Sequence, residues 1–232
     1  MKRESREVTG TSKAVMSWSG GKDSALALFR VLRDGTHDVR ALITTVTGEY
    51  ERISMHGVRR DLLEAQAAAI GIPLVISCIP PKASNEIYEA AMLESLRPFQ
   101  DSGIEDVICG DLFLADIREY RDRLFGSIGM KGVYPLWMEN TTALAGEFVD
   151  LGFKAIVCSC NPAMVPSSVA GQQYDSHLLE SLPAGCDPCA ENGEFHTFVY
   201  NGPIFNAPVH LELGRTVERD GFCFVDLVKT AV

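Results

Sequence analysis

No apolar run in this chain approaches the roughly 20 residues that a membrane-spanning helix needs, so a spanning segment is not expected. Positive charge is scarce. Lys and Arg number 21 against 31 Asp and Glu, leaving a net charge of −10. A surface of that sign grips nucleic acid or anionic membrane poorly, although one lysine at a helix N-terminus still suffices to hold an anion locally. The seven cysteines are odd in number and scattered, which is no disulfide framework; a reduced, cytoplasmic protein is expected. The opening MKRESREVTGTSK has basic residues but no apolar stretch of the kind a secretory leader carries, so residues 1–13 are expected as a frayed tail. Internal repeats and low-complexity segments are absent. So are the Walker A pattern G-x-x-x-x-G-K-S/T and the dinucleotide fingerprint G-x-G-x-x-G.

What is present is an alternation. Of the 232 residues 46% are apolar, enough for a substantial core. AVMSW reads as a short strand, and KDSALALFRVLRDG as a helix with Ala25, Leu28, Phe29 and Leu32 on one face and a stop at Gly35. VRALITTV is β-branched and strand-like. RRDLLEAQAAAIG is helical, with Leu63, Ala67 and Ile70 aligned. PLVISCI is a strand. SNEIYEAAMLESLRPF is a helix with Ser84 and Asn85 as cap candidates, and EDVICGD is another strand. Strand and helix in turn imply a doubly wound, mostly parallel α/β sheet of Rossmann-like type, whose ligands bind at the carboxyl ends of the strands. The loops after Trp18, Val46 and Cys109 then face one site.

Helical and strand patterns continue through IREYRDRLFGSIG, TTALAGEFVDLGF and KAIVCSC. Beyond about residue 190 the texture turns to β, with an Asn-Gly turn at 201–202 and Asp-Gly at 220–221 as a hairpin signal. A boundary near 130 separates an expected nucleotide domain, 14–130, from a smaller α+β domain, 131–232. Exposed hairpin edges in the second domain offer a surface on which two copies could pair.

The loop SGGKDS, residues 19–24, follows the first strand and opens a helix. Free N–H groups and the helix dipole make that junction an anion site. Gly20 and Gly21 let the backbone approach a ligand, Lys22 supplies positive charge, and Ser19 and Ser24 supply hydroxyls. Asp23 does not favour a bare phosphate, so a Mg²⁺ ion between them is implied. The plainer alternative is a glycine turn before a capped helix. A second motif, CDPCAENGEFHT, packs Glu191, Asn192, Glu194 and His196 around a glycine turn, a dense polar group that is costly to bury without purpose. Its Cys186 and Cys189 have zinc-ligand spacing, and Cys158 and Cys160 could complete a four-thiolate site. C-x-C is a poor partner for C-x-x-C, however, and single cysteines more often serve as small buried apolar residues.

SGGKDS in its strand-to-helix setting resembles the pyrophosphate loop of the N-type ATP pyrophosphatases. The two motifs together resemble the diphthine–ammonia ligase family, over nearly the whole chain after the tail. The likeness includes SMHG (54–57), SNEIYE (84–89), GDLFLADIREYR (110–121), PLW (135–137) and TFVYNGPIF (197–205). The closest pattern is the branch that reads D-P-C-G-E-N-G-E-F-H-T. Asn192 stands where diphthine-forming members often have glycine, His196 where they have glutamate, and Ala190 replaces a glycine even within that branch. These departures lie on the acceptor side and not in the ATP loop.

The resemblance implies ATP and Mg²⁺ as cofactors. Ser17 and the backbone of Ser19 to Ser24 would hold the phosphates, with Lys22 neutralising charge as pyrophosphate leaves and Asp23 placing the metal. Asp111 is a second metal or ribose candidate. Thr44 and Thr45 would line the adenine, and His56 would serve as a base or phosphate donor. Arg118 and Arg121 would clamp pyrophosphate or a substrate carboxylate. Glu191, Asn192, Glu194 and His196 would meet the acceptor, with Glu194 or His196 taking a proton from ammonium. The implied reaction adenylates an acceptor carboxylate and then transfers free ammonia, since no span of the chain reads as a glutaminase. The implied acceptor is diphthine on a translation elongation factor. Rivals are tRNA thiolation, which wants a basic surface and a persulfide-bearing cysteine, plain ATP hydrolysis to AMP, and a non-catalytic ATP or AMP sensor.

Overall fold

The structure is a computed structural model and describes residues 11–48, 52–53 and 57–230. The chain runs β1 (Ser12–Ser17), α1 (Lys22–Asp34), β2 (His37–Thr47), α2 (Arg60–Ile70), β3 (Leu74–Ile79), α3 (Asn85–Asp101), β4 (Asp106–Ile108), α4 (Ala115–Gly126) and β5 (Lys131–Val133). It continues through α5 (Thr141–Asp150), β6 (Lys154–Cys160), a 3₁₀ turn (Ser167–Val169), α6 (Ser176–Ser181), β7 (Phe195–Asn201), β8 (Leu211–Arg219) and β9 (Phe222–Lys229). Strands β1 to β5 form one parallel sheet in the order β3-β2-β1-β4-β5. The order reverses between β1 and β4, and a sheet of this kind opens its ligand crevice at such a switch point. The loop after β1 carries Ser19 to Ser24, and the loop after β4 carries Gly110 and Asp111. The last four strands form an antiparallel sheet ordered β7-β6-β9-β8.

Alternation along the parallel strands divides the core. Val15, Ala41 and Ile43 meet Met92 and Leu96 of α3 and Leu124 and Phe125 of α4. Ala14, Met16 and Leu42 point the other way, into a cluster with Ala25, Leu28 and Val31 of α1, Phe148 of α5, and Val157, Phe195 and Val199 of the second sheet. One continuous core therefore joins the two sheets, with α1 between them. That position explains a phase difference. The expected stripe included Leu32, which is 44% exposed, whereas Leu26 and Ala27 are buried beside Ala25 and Leu28. The first two turns of α1 are covered from two sides, so their apolar surface is wider than a single stripe.

Gly35 and Gly71 end α1 and α2 in the left-handed conformation, at φ 61° and 83°. Ser84 precedes α3, but its side chain makes no capping bond. Asp220 and Gly221, at φ 51° and 81°, close the β8–β9 hairpin as a tight turn requires. Asn201-Gly202 leads out of β7 into a turn closed by the Phe205 N–H on the Gly202 carbonyl at 3.0 Å, and β7 itself pairs with β6. Gly202 lets the chain pass Phe153, whose Cδ1 would lie 2.3 Å from an added Cβ. β1 opens at Ser12, inside the stretch expected as tail, and β5 extends the first sheet to Val133, past the boundary expected near 130. Among the described residues no helix is long and apolar enough to cross a membrane.

An ion-pair clamp ties the two sheets together at the surface. The Asp226 carboxylate on β9 accepts from Arg52 (2.9 Å) and from Arg59 (2.9 and 2.6 Å). The Arg59 hydrogen bonds, followed by those of Arg52, hold its pKa down to about 2. A carboxyl more acidic when folded stabilises the fold above its unfolded pKa of about 3.9 and loses that contribution as pH falls toward the folded value. Asp226→Ala is expected to cost about 2 kcal/mol at pH 7. In urea titrations the gap between parent and variant should narrow below about pH 4.

Candidate active site

The loop of Ser19 to Ser24 is fixed largely by backbone bonds. Trp18 N–H extends the β1–β2 ladder to the Ile43 carbonyl at 2.7 Å. Gly20 then turns with φ 76°, and a Cβ there would stand 3.0 Å from both Gln66 Oε1 and Leu63 Cδ2. Gly21 is the N-cap of α1 and has no side chain to cap it. Its own N–H donates to Ser19 Oγ (3.2 Å), and Ser24 Oγ donates to its carbonyl (2.9 Å). The Lys22 N–H donates to Thr197 Oγ1 of β7 at 3.0 Å. Gly110, in the loop after β4, lies flat against the start of α1, where an added Cβ would come within 2.8 Å of the Asp23 and Ser24 backbone.

The Lys22 ammonium is buried. It donates to Asp23 Oδ2 at 2.8 Å and to the Cys189 carbonyl. Burial alone would lower its pKa; Asp23, Cys189 and Glu191 together more than offset that, and the net shift is upward. Lys22 therefore carries its charge at neutral pH.

Around this loop lies a cavity of about 450 Å³. Ser17, Ser19, Gly21, Lys22, Asp23 and Ser24 border it from the loop, and Thr44 and Thr45 from the end of β2. Asp111 borders it from the β4 loop, and Glu191 and His196 from the second motif. Two stretches 170 residues apart in sequence thus share one space. Gly20 turns away from it toward Gln66. Asn192 and Glu194 do not border it, and His56 lies outside the described residues. Arg118 does not border it either. Its guanidinium lies 4.7 Å from the ring centroids of both Tyr134 and Trp137. Arg121 takes the inward position, 3.0 Å from Asp111 Oδ1. Tyr88, Gly110 and Thr197 also line the cavity and were not expected to.

The second motif is held by its carboxylates. Asp187 accepts from Cys189 N (3.4 Å) and Glu191 N (2.8 Å). Glu194 Oε1 accepts from Asp187 N (3.0 Å) and Asn192 Nδ2 (3.2 Å). Glu194 and Asn192 therefore brace the turn and do not face the cavity. Ala190 adopts φ 59°, a left-handed conformation costing about 1 kcal/mol for a residue with a Cβ, at the position where the resembling branch has glycine. Glu191 does face inward. Its Oε1 accepts from Leu112 N at 3.0 Å. Burial, reinforced by Asp23 and Asp111, raises its pKa to about 7. Burial, with Lys22 adding to it, lowers His196 to about 4, so its imidazole is neutral at pH 7.

Asp111 Oδ2 is buried and makes no hydrogen bond. Together with Asp23 it offers the hard oxygen donors that Mg²⁺ takes alongside phosphate oxygens, so the residues present fit that ion. Among the described residues no three His, Cys, Asp or Glu side chains converge to hold a metal by themselves. Burial pushes the thiols of Cys158 and Cys189 up to about 12 and those of Cys160 and Cys186 up to about 11, which disfavours the thiolate.

Two family models cover this architecture. The diphthamide synthase N-terminal domain matches residues 12–132, and the diphthamide synthase C-terminal domain matches residues 140–230. The chain belongs to the diphthamide synthase family. Similar proteins named diphthine–ammonia ligase include one from Danio rerio, 22% identical over 86% of this chain and 86% of that protein. One from Rattus norvegicus is 23% identical over 89% of this chain and 85% of that protein. One from Homo sapiens is 21% identical over the same shares. Among solved structures, the U34-tRNA thiolase NcsA from Methanococcus maripaludis with its 4Fe-4S cluster aligns at TM-score 0.38 and 18% identity, covering 64% of this chain and 61% of that one. That likeness is too loose to carry chemistry across.

In the sequence, signals for the unforeseen cavity residues were slight. Thr197 and Gly110 each adjoin a motif residue, whereas Tyr88 shows only as one apolar position of α3. His196 yields a direct check. A buried imidazole with a lowered pKa leaves the fold less stable as pH falls from about 6.5 to 4, because only the unfolded chain takes up the proton in that window. Its ring should titrate near pH 4 by NMR, and His196→Gln should flatten that part of the stability profile. Titration at the ordinary imidazole value would contradict the burial.

Proposed function

We propose that this protein is an ATP-dependent amide ligase that adenylates an acceptor carboxylate and passes ammonia to it. The observation that carries the reading is that the phosphate loop and Glu191 border one cavity. ATP would lie with its adenine against Thr44 and Thr45 and its phosphates on Ser17 and Ser19 to Ser24. A bound Mg²⁺, held by Asp23 and Asp111, would neutralise phosphate charge. An oxygen of the acceptor carboxylate attacks the α-phosphorus, and the bond to the β-phosphate oxygen breaks. Lys22 meets the charge that builds on departing pyrophosphate, and Arg121 adds a second cation in the same wall. Ammonia then attacks the acyl carbon of the acyl-adenylate. Glu191 takes the proton that the new C–N bond forces off nitrogen, and the bond to AMP breaks. Its raised pKa suits a base that works near neutrality. Glu194 and Asp187 position Glu191 through the bonded turn.

The names of the relatives support diphthine as the acceptor. A second copy would pair along β8, the exposed edge of the antiparallel sheet. The sulfur-transfer alternative fares worse, since net charge is −10 and the buried thiols resist ionisation.

The test is product analysis with Mg-ATP, ammonium and a diphthine-bearing elongation factor. AMP and pyrophosphate are expected; ADP would overturn the reading. Lys22→Ala should lower AMP formation by about 100-fold or more. Glu191→Gln should lower ammonia transfer by about 100-fold while pyrophosphate release persists.

A further inference from the structure

The start of α1 poses an unusual problem. The first N–H groups of a helix have no partner within it, and the N-cap, Gly21, has no side chain to offer. The Lys22 N–H is met instead by Thr197 Oγ1, from a strand 175 residues away. Thr197 is only 3% exposed, yet it borders the cavity. A hydroxyl has two lone pairs and one proton. The amide occupies a lone pair, so the Thr197 proton remains to be donated. A β-branched side chain is stiff about χ1, and here both neighbours on the same face of β7 are fixed. Phe195 is in the core, and Val199 N donates to the Gly20 carbonyl at 2.9 Å.

Gln66 completes the join. Its Nε2 donates to the carbonyls of Gly20 (3.0 Å) and Val199 (2.6 Å), and its Oε1 accepts from Trp18 Nε1 (2.7 Å). Gln66 is fully buried, so these bonds are not in exchange with water. The loop and β7 are thereby locked together at Val199, beside Thr197.

We propose that Thr197 is a nucleotide-binding residue contributed by the second sheet, accepting the Lys22 amide proton and donating its hydroxyl proton to a phosphate oxygen of the bound nucleotide. The inference rests on the reading of Ser19 to Ser24 as a phosphate loop. The ligand class is a nucleoside triphosphate, and the contact is to phosphate, not to base or ribose. The nucleotide site then spans both sheets.

The test compares binding of α,β-methylene-ATP with Mg²⁺, and of adenosine, by isothermal titration calorimetry on the full chain. Thr197→Val removes the hydroxyl and keeps the branched shape; Thr197→Ser keeps the hydroxyl. The triphosphate is expected to bind about 10-fold or more weakly to the valine variant and within about 3-fold of the parent to the serine variant. Adenosine affinity should be unchanged in both. Equal losses for triphosphate and adenosine, or no loss in Thr197→Val, would overturn the proposal; so would a crystal structure of the parent with α,β-methylene-ATP in which no phosphate oxygen lies within hydrogen-bond distance of Thr197 Oγ1, since loss of the Lys22 amide's acceptor alone also weakens phosphate binding. Should the valine variant not fold, Thr197→Ala carries the same comparison. A parent that binds adenosine but gains nothing from the phosphates would overturn the phosphate-loop reading itself.

Discussion

A helix that begins on glycine cannot cap itself, and α1 begins on Gly21. Its first amides are met by Ser19 from within the loop and by Thr197 from β7, while the Gly20 carbonyl is taken by Val199 and Gln66. Each of these groups is buried or nearly so, and an unpaired amide or carbonyl in such a place costs about 1–3 kcal/mol. The loop therefore holds its shape only with β7 docked against it. The remaining architecture follows from that requirement. The antiparallel sheet sits over α1, the two sheets share a core, and the polar motif before β7 is delivered to the rim of the same cavity.

The cavity's electrostatics are local, not global. The chain is strongly acidic, yet Lys22 and Arg121 each stand in the wall against an aspartate, Asp23 and Asp111. Burial, reinforced by the two carboxylates, raises the Glu191 pKa to about 7, and burial, with Lys22 adding to it, lowers that of His196 to about 4. Two titratable groups a few residues apart in sequence are driven in opposite directions. At neutral pH one can exchange a proton while the other remains a neutral ring.

Much of this was legible in the sequence, for identifiable reasons. The strand–helix alternation, the glycine stops at Gly35 and Gly71, and the Asp220-Gly221 hairpin are local signals with a local period or a local φ requirement. The loop of Ser19 to Ser24 stood out because glycines, a lysine and hydroxyls sit at one strand-to-helix junction, and it lies in the cavity wall. What stayed hidden depends on long-range contact. β5 is three residues containing a glycine, too short for any period to show. Leu32 shifts out of the core because α1 is covered from two sides, which its own pattern does not reveal. Gln66 reads as one polar position on an amphipathic helix, and Thr197 as a β-former in a strand. Glu191 and Glu194 are the same residue type in one motif, and only burial and bonding partners separate the inward-facing group from the brace.

The most direct measurement is a crystal structure with α,β-methylene-ATP and Mg²⁺ bound. The account predicts the phosphates between the loop of Ser19 to Ser24 and Thr197, with the α-phosphate open toward Glu191. Phosphates seated elsewhere, or a loop that binds them after β7 has moved away, would contradict it.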